Sequence, residues 1–264
     1  MEENKRNQIG IVDFIMEYAS KHIIIIPNPG NGGDSLISMG TLQLFDKLGL
    51  NYVTGDINKQ YLNKILFYSG GGNLVGLYNN CHNFIIRNKS TNDIVILPHT
   101  IKDVDSLLKL CDDKIKIICR ECISYDYVYA TIKHKNNVFL SDDMAFYISG
   151  LESYKNIQGV GVCNCFRNDK EKTNIVIPPD NNDISQTLNK KNNTSDPLVI
   201  NKVSFSIFEY LSKYEIINTN RLHVAIAGSL LGKKVNLYQN NYYKIKAIYD
   251  YSIKDKFENT RLCD

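Results

Sequence analysis

The sequence predicts an α/β protein built from two doubly wound units, and three observations carry that reading. Short, continuous, β-branched apolar runs recur along the 264 residues, helix-length segments separate them, and the series restarts past the midpoint as a second, shorter set. Continuous runs are how parallel strands covered on both faces read, whereas a sheet with one wet face alternates apolar and polar positions.

The first set comprises Ile23–Ile26, Ile65–Ser69, Ile94–Leu97, Ile115–Cys119 and Val138–Leu140, placed in an N-terminal domain over residues 1–150. After Ser141–Phe146 the pattern resumes with strands expected at Ile157–Cys165, Asn174–Ile177, Tyr214–Ile217 and Val235–Tyr238. Helices over Ser204–Ser212 and Leu222–Leu231 complete a smaller domain over residues 151–264. Between them Asn181–Pro197 is polar and asparagine-rich, and reads as an exposed loop or weak helix rather than a domain linker. A last helical segment, Tyr242–Ile253, carries tyrosines able to cover either domain.

Composition narrows the function classes. With 43% hydrophobic and 22% charged residues the chain is globular, and it has no apolar run of bilayer length. The start, "MEENKRNQIG", lacks the apolar core of a secretory signal, which predicts a cytoplasmic protein, in a host's cytoplasm if the source is viral. Richness in Asn, Lys, Ile and Tyr points to an AT-rich bacterial or giant-virus coding sequence. A net charge of +3 without a basic stripe argues against nucleic acid. Seven cysteines, an odd number, fit free thiols. Cys119/Cys122 and Cys163/Cys165 sit at the ends of strand-like runs as small buried hydrophobes, so neither a metal nor a cofactor is expected.

Several expected strands end in residues suited to a ligand. "IIIIPNPGNGGDSL" is a strand, a turn with Gly30, Gly32 and Gly33, and a helix starting near Asp34. It is neither a Walker A loop nor a dinucleotide fingerprint. Open α/β sheets place their sites at the carboxyl ends of strands, which puts Asn31 and Asp34 at a crevice. Asp34 is read either as a helix cap or as a functional carboxylate. "ILFYSGGGN" brings Asn73 to the same edge, "VILPHT" brings His99, and "IICRECIS" brings Arg120, either paired with Glu121 or free for an anion.

The stretch "NTNRLHVAIAG" places Arg221 and His223 in the first turn of an otherwise apolar helix. Unsatisfied N–H groups and the positive end of the helix dipole already favour an anion there, so two added cations are unfavourable without one. A phosphate or carboxylate ligand is the sharper reading; an Arg221–carboxylate pair with a structural His223 is the alternative.

In order, "GNGGD", "GGGN", "LPHT", "CRECIS", "DMAF" and "TNRLHVAIAGSLLGKKV" resemble the polysaccharide pyruvyl transferase family, from about Pro27 to Tyr249, and "FRNDKEK" resembles its R-x-D-x-E segment. The resemblance implies two Rossmann-like domains facing a cleft, GT-B-like, and transfer of the enolpyruvyl group of phosphoenolpyruvate onto two hydroxyls of a sugar residue as a ketal. That sugar would belong to a glycan or to a lipid- or nucleotide-linked precursor. The resemblance puts Arg120, Arg221, Leu222 and His223 on phosphoenolpyruvate. His223 is then the candidate acid, Asp34 the candidate base, and Asn31, Asn73 and His99 the acceptor side. The chain departs from the family's pattern at Gly76, where an acid is frequent, and at "PHT" in place of "PQS" or "PQT". Two other readings stand beside it: a GT-B glycosyltransferase using a nucleotide sugar, and a sugar-binding relative that has lost the chemistry.

Overall fold

A computed structural model describes residues 6–169, 175–189 and 196–263. The chain divides into two compact units, Met1–Asn28 with Thr41–Met144, and Pro29–Gly40 with Ala145–Asp264. The division falls at 144/145 instead of 150/151, and the glycine turn after the first strand groups with the second unit, not with the domain in which the sequence places it.

The first unit is built on a seven-stranded sheet: β1 (His22–Ile26), β2 (Asn51–Thr54), β3 (Ile65–Tyr68), β4 (Gly71–Val75), β5 (Asp93–Lys102), β6 (Ile115–Cys119) and β7 (Val138–Leu140). The order is β2-β1-β3-β5-β6-β7, with β4 on β5, and every pairing is parallel. Ile23, Ile25 and Ile26 of β1 are buried, as a covered parallel strand requires. Helices α1 (Ile11–Met16), α2 (Gly32–Lys47), α3 (Asn80–Asn88), α4 (Asp105–Leu108) and α5 (Cys122–Thr131) are interleaved with the strands. Helix α2 begins in the second unit and ends in the first. Gln8 bridges Leu140 on β7, so the chain's start closes the outer edge of this sheet.

The second unit carries β8 (Val162–Cys165), β9 (Ile216–Thr219), β10 (Lys234–Tyr238) and β11 (Thr260–Cys263) in the order β11-β10-β9-β8, again all parallel. Helices α6 (Glu152–Lys155), α7 (Ile184–Thr187), α8 (Pro197–Ser212), α9 (Leu222–Leu230) and α10 (Lys244–Ile248) accompany it, and a π turn over Tyr249–Ile253 continues the last. Helix α9 lies close on its sheet because residue 228 is glycine: a Cβ there would stand 2.7 Å from Ile217 and 2.9 Å from Val235.

Three expectations are corrected. The strand expected at Asn174–Ile177 does not form over 175–177, where Val176 is 89% exposed and two prolines follow; residue 174 lies outside the described residues. Only Val162–Cys165 of the run from Ile157 is strand. Helix α8 starts at Pro197 instead of Ser204, because Asp196 accepts the Leu198 N–H at 2.9 Å and Pro197 supplies the first-turn φ. The asparagine-rich segment holds the short helix α7, in line with the weak helix expected there, and its residues 190–195 lie outside the described residues.

Candidate functional site

In the first unit the strand order reverses between β1 and β3: β2 lies on one side of β1 and β3 on the other. The crevice outside such a reversal is where open α/β sheets hold ligands. Here the carboxyl ends supply a polar chain of four residues. Tyr68 Oη donates to Asn28 Oδ1 at 2.8 Å, Asn73 Nδ2 donates to the same oxygen at 2.6 Å, and His99 Nε2 faces Asn73 Oδ1 at 2.9 Å. Gly71 is bare because a Cβ would stand 2.8 Å from Asn28 Nδ2 and 3.3 Å from the His99 ring. Asn73 and His99 therefore meet as the sequence places them, joined by Asn28 and Tyr68, which it did not single out. Asn73 is the half-buried member.

Burial pushes the His99 imidazole down from the ordinary 6.5 to about 3, and the Arg120 charge adds to the effect. The ring is neutral in the folded chain, with Nε2–H donating to Asn73. Between pH 6.5 and pH 3 the unfolded chain takes up a proton that the folded one refuses, so this contribution is complete above 6.5 and is lost as pH falls through the window. The expected slope reaches about 1.4 kcal/mol per pH unit, and His99→Gln should remove it. Urea denaturation of both proteins at pH 7, 5.5 and 4.5 checks this; equal slopes would refute it.

Arg120 is buried at 1% exposure, and its partner is Asp143, not the adjacent Glu121. Nη1 donates to Asp143 Oδ2 at 2.6 Å and Nε to Thr100 Oγ1 at 2.9 Å. Asp143, the acid of "DMAF", stands three residues beyond β7 and is itself buried. Glu121 instead caps α5, accepting the Ser124 N–H at 2.9 Å and the Ser124 hydroxyl. The expectation of Arg120 either on Glu121 or free for an anion gives way to a compensated buried ion pair.

In the second unit Arg167, Arg221 and Asn240 follow β8, β9 and β10 at one carboxyl edge. Arg221 is the N-cap of α9, a position without a side-chain cap bond, and its own N–H donates to Thr219 Oγ1 at 2.9 Å. Its guanidinium forks onto Asp183 at 2.9 and 2.5 Å and touches Asp169 at 2.8 Å. Arg167 forks onto Asp169 at 2.7 and 3.0 Å. With its amide turned to satisfy both neighbours, Asn240 accepts from Arg167 Nη1 at 2.8 Å and donates to the Asn220 carbonyl at 2.9 Å. The carboxylate pairing weighed as the alternative for Arg221 is thus present, with two acids. Arg167 and Asp169 lie in the R-x-D-x-E segment, whose Glu171 is outside the described residues; nothing in the sequence marked Asp183.

The glycine turn of Asn31–Asp34 belongs to this same unit. Asn31 Oδ1 accepts the Gly33 N–H at 2.8 Å while Asp34 Oδ2 accepts the Asn31 N–H at 3.0 Å, a reciprocal capping box at the start of α2. Asp34 thus caps α2 through Oδ2. Gly33 has no room for a side chain: a Cβ would stand 2.8 Å from His223 Nδ1. The first turns of α2 and α9 so meet at Gly33 and His223, two positive helix ends beside a half-buried imidazole. Asn31 and Asp34 thus neighbour the RLH helix within the second unit.

Cys163 and Cys165 face each other at 3.9 Å as free thiols, and among the described residues no three His, Cys, Asp or Glu side chains are grouped to hold a metal. No helix among them is long and apolar enough to cross a membrane.

The family model described as "Polysaccharide pyruvyl transferase" matches residues 31–242. A Bacillus subtilis (strain 168) protein named "Putative pyruvyl transferase EpsO" is 26% identical over an alignment covering 98% of this chain and 92% of its own. The crystal structure of KP1_0663, a "functional uncharacterized protein" from Klebsiella pneumoniae subsp. pneumoniae NTUH-K2044, is similar with a TM-score of 0.84 and 35% identity, covering 96% of this chain and 97% of that one.

Proposed function

Because the chain belongs to the polysaccharide pyruvyl transferase family, we propose that it transfers the enolpyruvyl group of phosphoenolpyruvate onto two hydroxyls of a sugar residue, releasing phosphate and leaving a pyruvate ketal. The observation that carries this reading is the meeting of Gly33 and His223, where the α9 N-terminus, without a side-chain cap, lies beside the Arg221 side chain and suits a phosphate that takes the place of a carboxylate now on Arg221.

The reaction needs an acid and a base. A proton goes to the methylene carbon of phosphoenolpyruvate and one sugar hydroxyl adds to C2, losing its own proton. The C2–O bond to phosphate then breaks, and the second hydroxyl closes the ketal, its proton leaving with phosphate. In this reading Arg221 and the Leu222 and His223 N–H groups hold the phosphate as charge collects on its bridging oxygen, and His223 supplies the proton. Asp34 follows Gly33 in the chain, which keeps its carboxylate near the phosphate end, and it is the candidate base. Asn73 orients the acceptor sugar, and the buried His99 behind it holds Asn73 in place. Arg120 enters as a buried charge balanced by Asp143. The sugar belongs to a glycan or its precursor, and the protein acts in the cytoplasm without a cofactor.

The test is phosphate release from phosphoenolpyruvate in the presence of a panel of galactosides, mannosides and N-acetylhexosaminides, with the ketal identified by mass. One acceptor should give one phosphate per ketal. Turnover of a nucleotide sugar with none of phosphoenolpyruvate would establish a glycosyltransferase instead.

A further inference from the structure

Two buried guanidinium groups converge on one carboxylate in the second unit. Arg167 grips Asp169 through Nε at 2.7 Å and Nη2 at 3.0 Å, and Arg221 adds Nη2 at 2.8 Å. Both arginine side chains are 6% exposed, whereas the Asp169 side chain is 33% exposed, so an oxyanion reaches from the wetter side into a fixed cationic seat.

Part of the seat is held without Asp169. Arg221 is held by its own fork on Asp183. The backbone N–H of Arg167 donates to Asn220 Oδ1 at 2.7 Å, and Asn240 takes up its Nη1. These partners hold the Arg221 guanidinium, the Arg167 main chain and the Arg167 Nη1 from the sheet edge, and the nine-residue helix α9 begins at the same place without a side-chain cap. Bidentate contact from one fork plus a second guanidinium is the arrangement that suits a phosphate or a carboxylate, and a neutral group gains little from it.

We infer that Arg167 and Arg221 form a two-guanidinium receptor for an oxyanion group of the substrate, and that Asp169 is its resident occupant, displaced when substrate binds and restored when product leaves. The inference rests on the reading that Arg221 holds an anionic donor, and adds Arg167 as a binding residue and Asp169 as an internal competitor. A competitor tethered in this way weakens ground-state binding and speeds release of the phosphate product.

Calorimetric titration of the whole chain with inorganic phosphate, and separately with phosphoenolpyruvate, tests it. Asp169→Asn should lower the phosphate Kd by about tenfold, the scale of one charged hydrogen bond. Adding Arg167→Gln to that variant should reverse the gain, and Arg167→Lys, which keeps charge without the fork, should reverse it in part if the Gln variant fails to fold. In turnover, Asp169→Asn should lower KM and kcat together, a pattern that loss of folded protein does not give. Unchanged or weaker phosphate binding by a natively folded Asp169→Asn overturns the inference, whatever phosphoenolpyruvate turnover shows. Tighter phosphate binding without phosphoenolpyruvate turnover leaves the receptor standing and removes the proposed reaction.

Discussion

Replacing Arg120 by methionine should destabilise the protein by about 3–5 kcal/mol, measured by urea denaturation at pH 7. The guanidinium and the Asp143 carboxylate are both out of water, 2.6 Å apart, and removal of one takes the close counter-charge from the other in a low-dielectric interior. Thr100 loses a partner in the same step. The double variant Arg120→Met/Asp143→Leu should recover most of the loss, since a buried pair exchanged for apolar groups of similar volume is often neutral. A single-variant cost below about 1 kcal/mol would contradict a buried pair. The double variant also separates structure from function at this position: a stable protein that turns over phosphoenolpyruvate would free Arg120 from any part in substrate binding, and a stable but inert one would confirm the part that the family resemblance implies.

Arg221→Ala should lower kcat/KM for phosphoenolpyruvate by two to three orders of magnitude, the cost of removing one preorganised donor from developing charge. The N–H groups of the α9 first turn remain, so a residual rate is expected. Arg221→Lys should fall between, because an ammonium keeps the charge but cannot fork onto Asp183 and reach Asp169 together. Steady-state kinetics with phosphate detection, read beside circular dichroism, decides it. An Arg221→Ala enzyme within tenfold of the parent would remove this residue from the donor site.

The fold was largely legible because its strands are covered parallel runs: "HIIII" and "IKIIC" need no partner to be recognised. What the sequence hid were elements without such a run. Strand β4, "GGNLV", begins with two glycines and owes its existence to pairing with β5; strand β11, "TRLC", has only four residues. Helix α8 starts seven residues before the sequence pattern marks it, at an Asp196–Pro197 N-cap and first-turn proline that the surrounding asparagines mask. At the candidate site the cationic residues were visible as anomalies against apolar surroundings, as with Arg221 and His223 on α9. Their pairings are not: Asp143 and Asp169 stand in quoted motifs and Asp183 in none, and only tertiary contacts bring each onto its arginine. The same holds for the glycine turn of Asn31–Asp34, whose neighbours Ser185, Asn189, Ile207 and His223 all follow it by about 150 residues or more.

The bridge between Gln8 and Leu140 has a consequence for synthesis on the ribosome. Its neighbour contact, the Ser141 hydroxyl on the Ile9 carbonyl, spans 132 residues, so the first unit has no closed outer edge until its last strand has emerged. At roughly 5–20 residues per second the nascent chain carries that open edge for on the order of ten seconds. During this interval the exposed parallel strands depend on chaperones or on a low concentration of like chains.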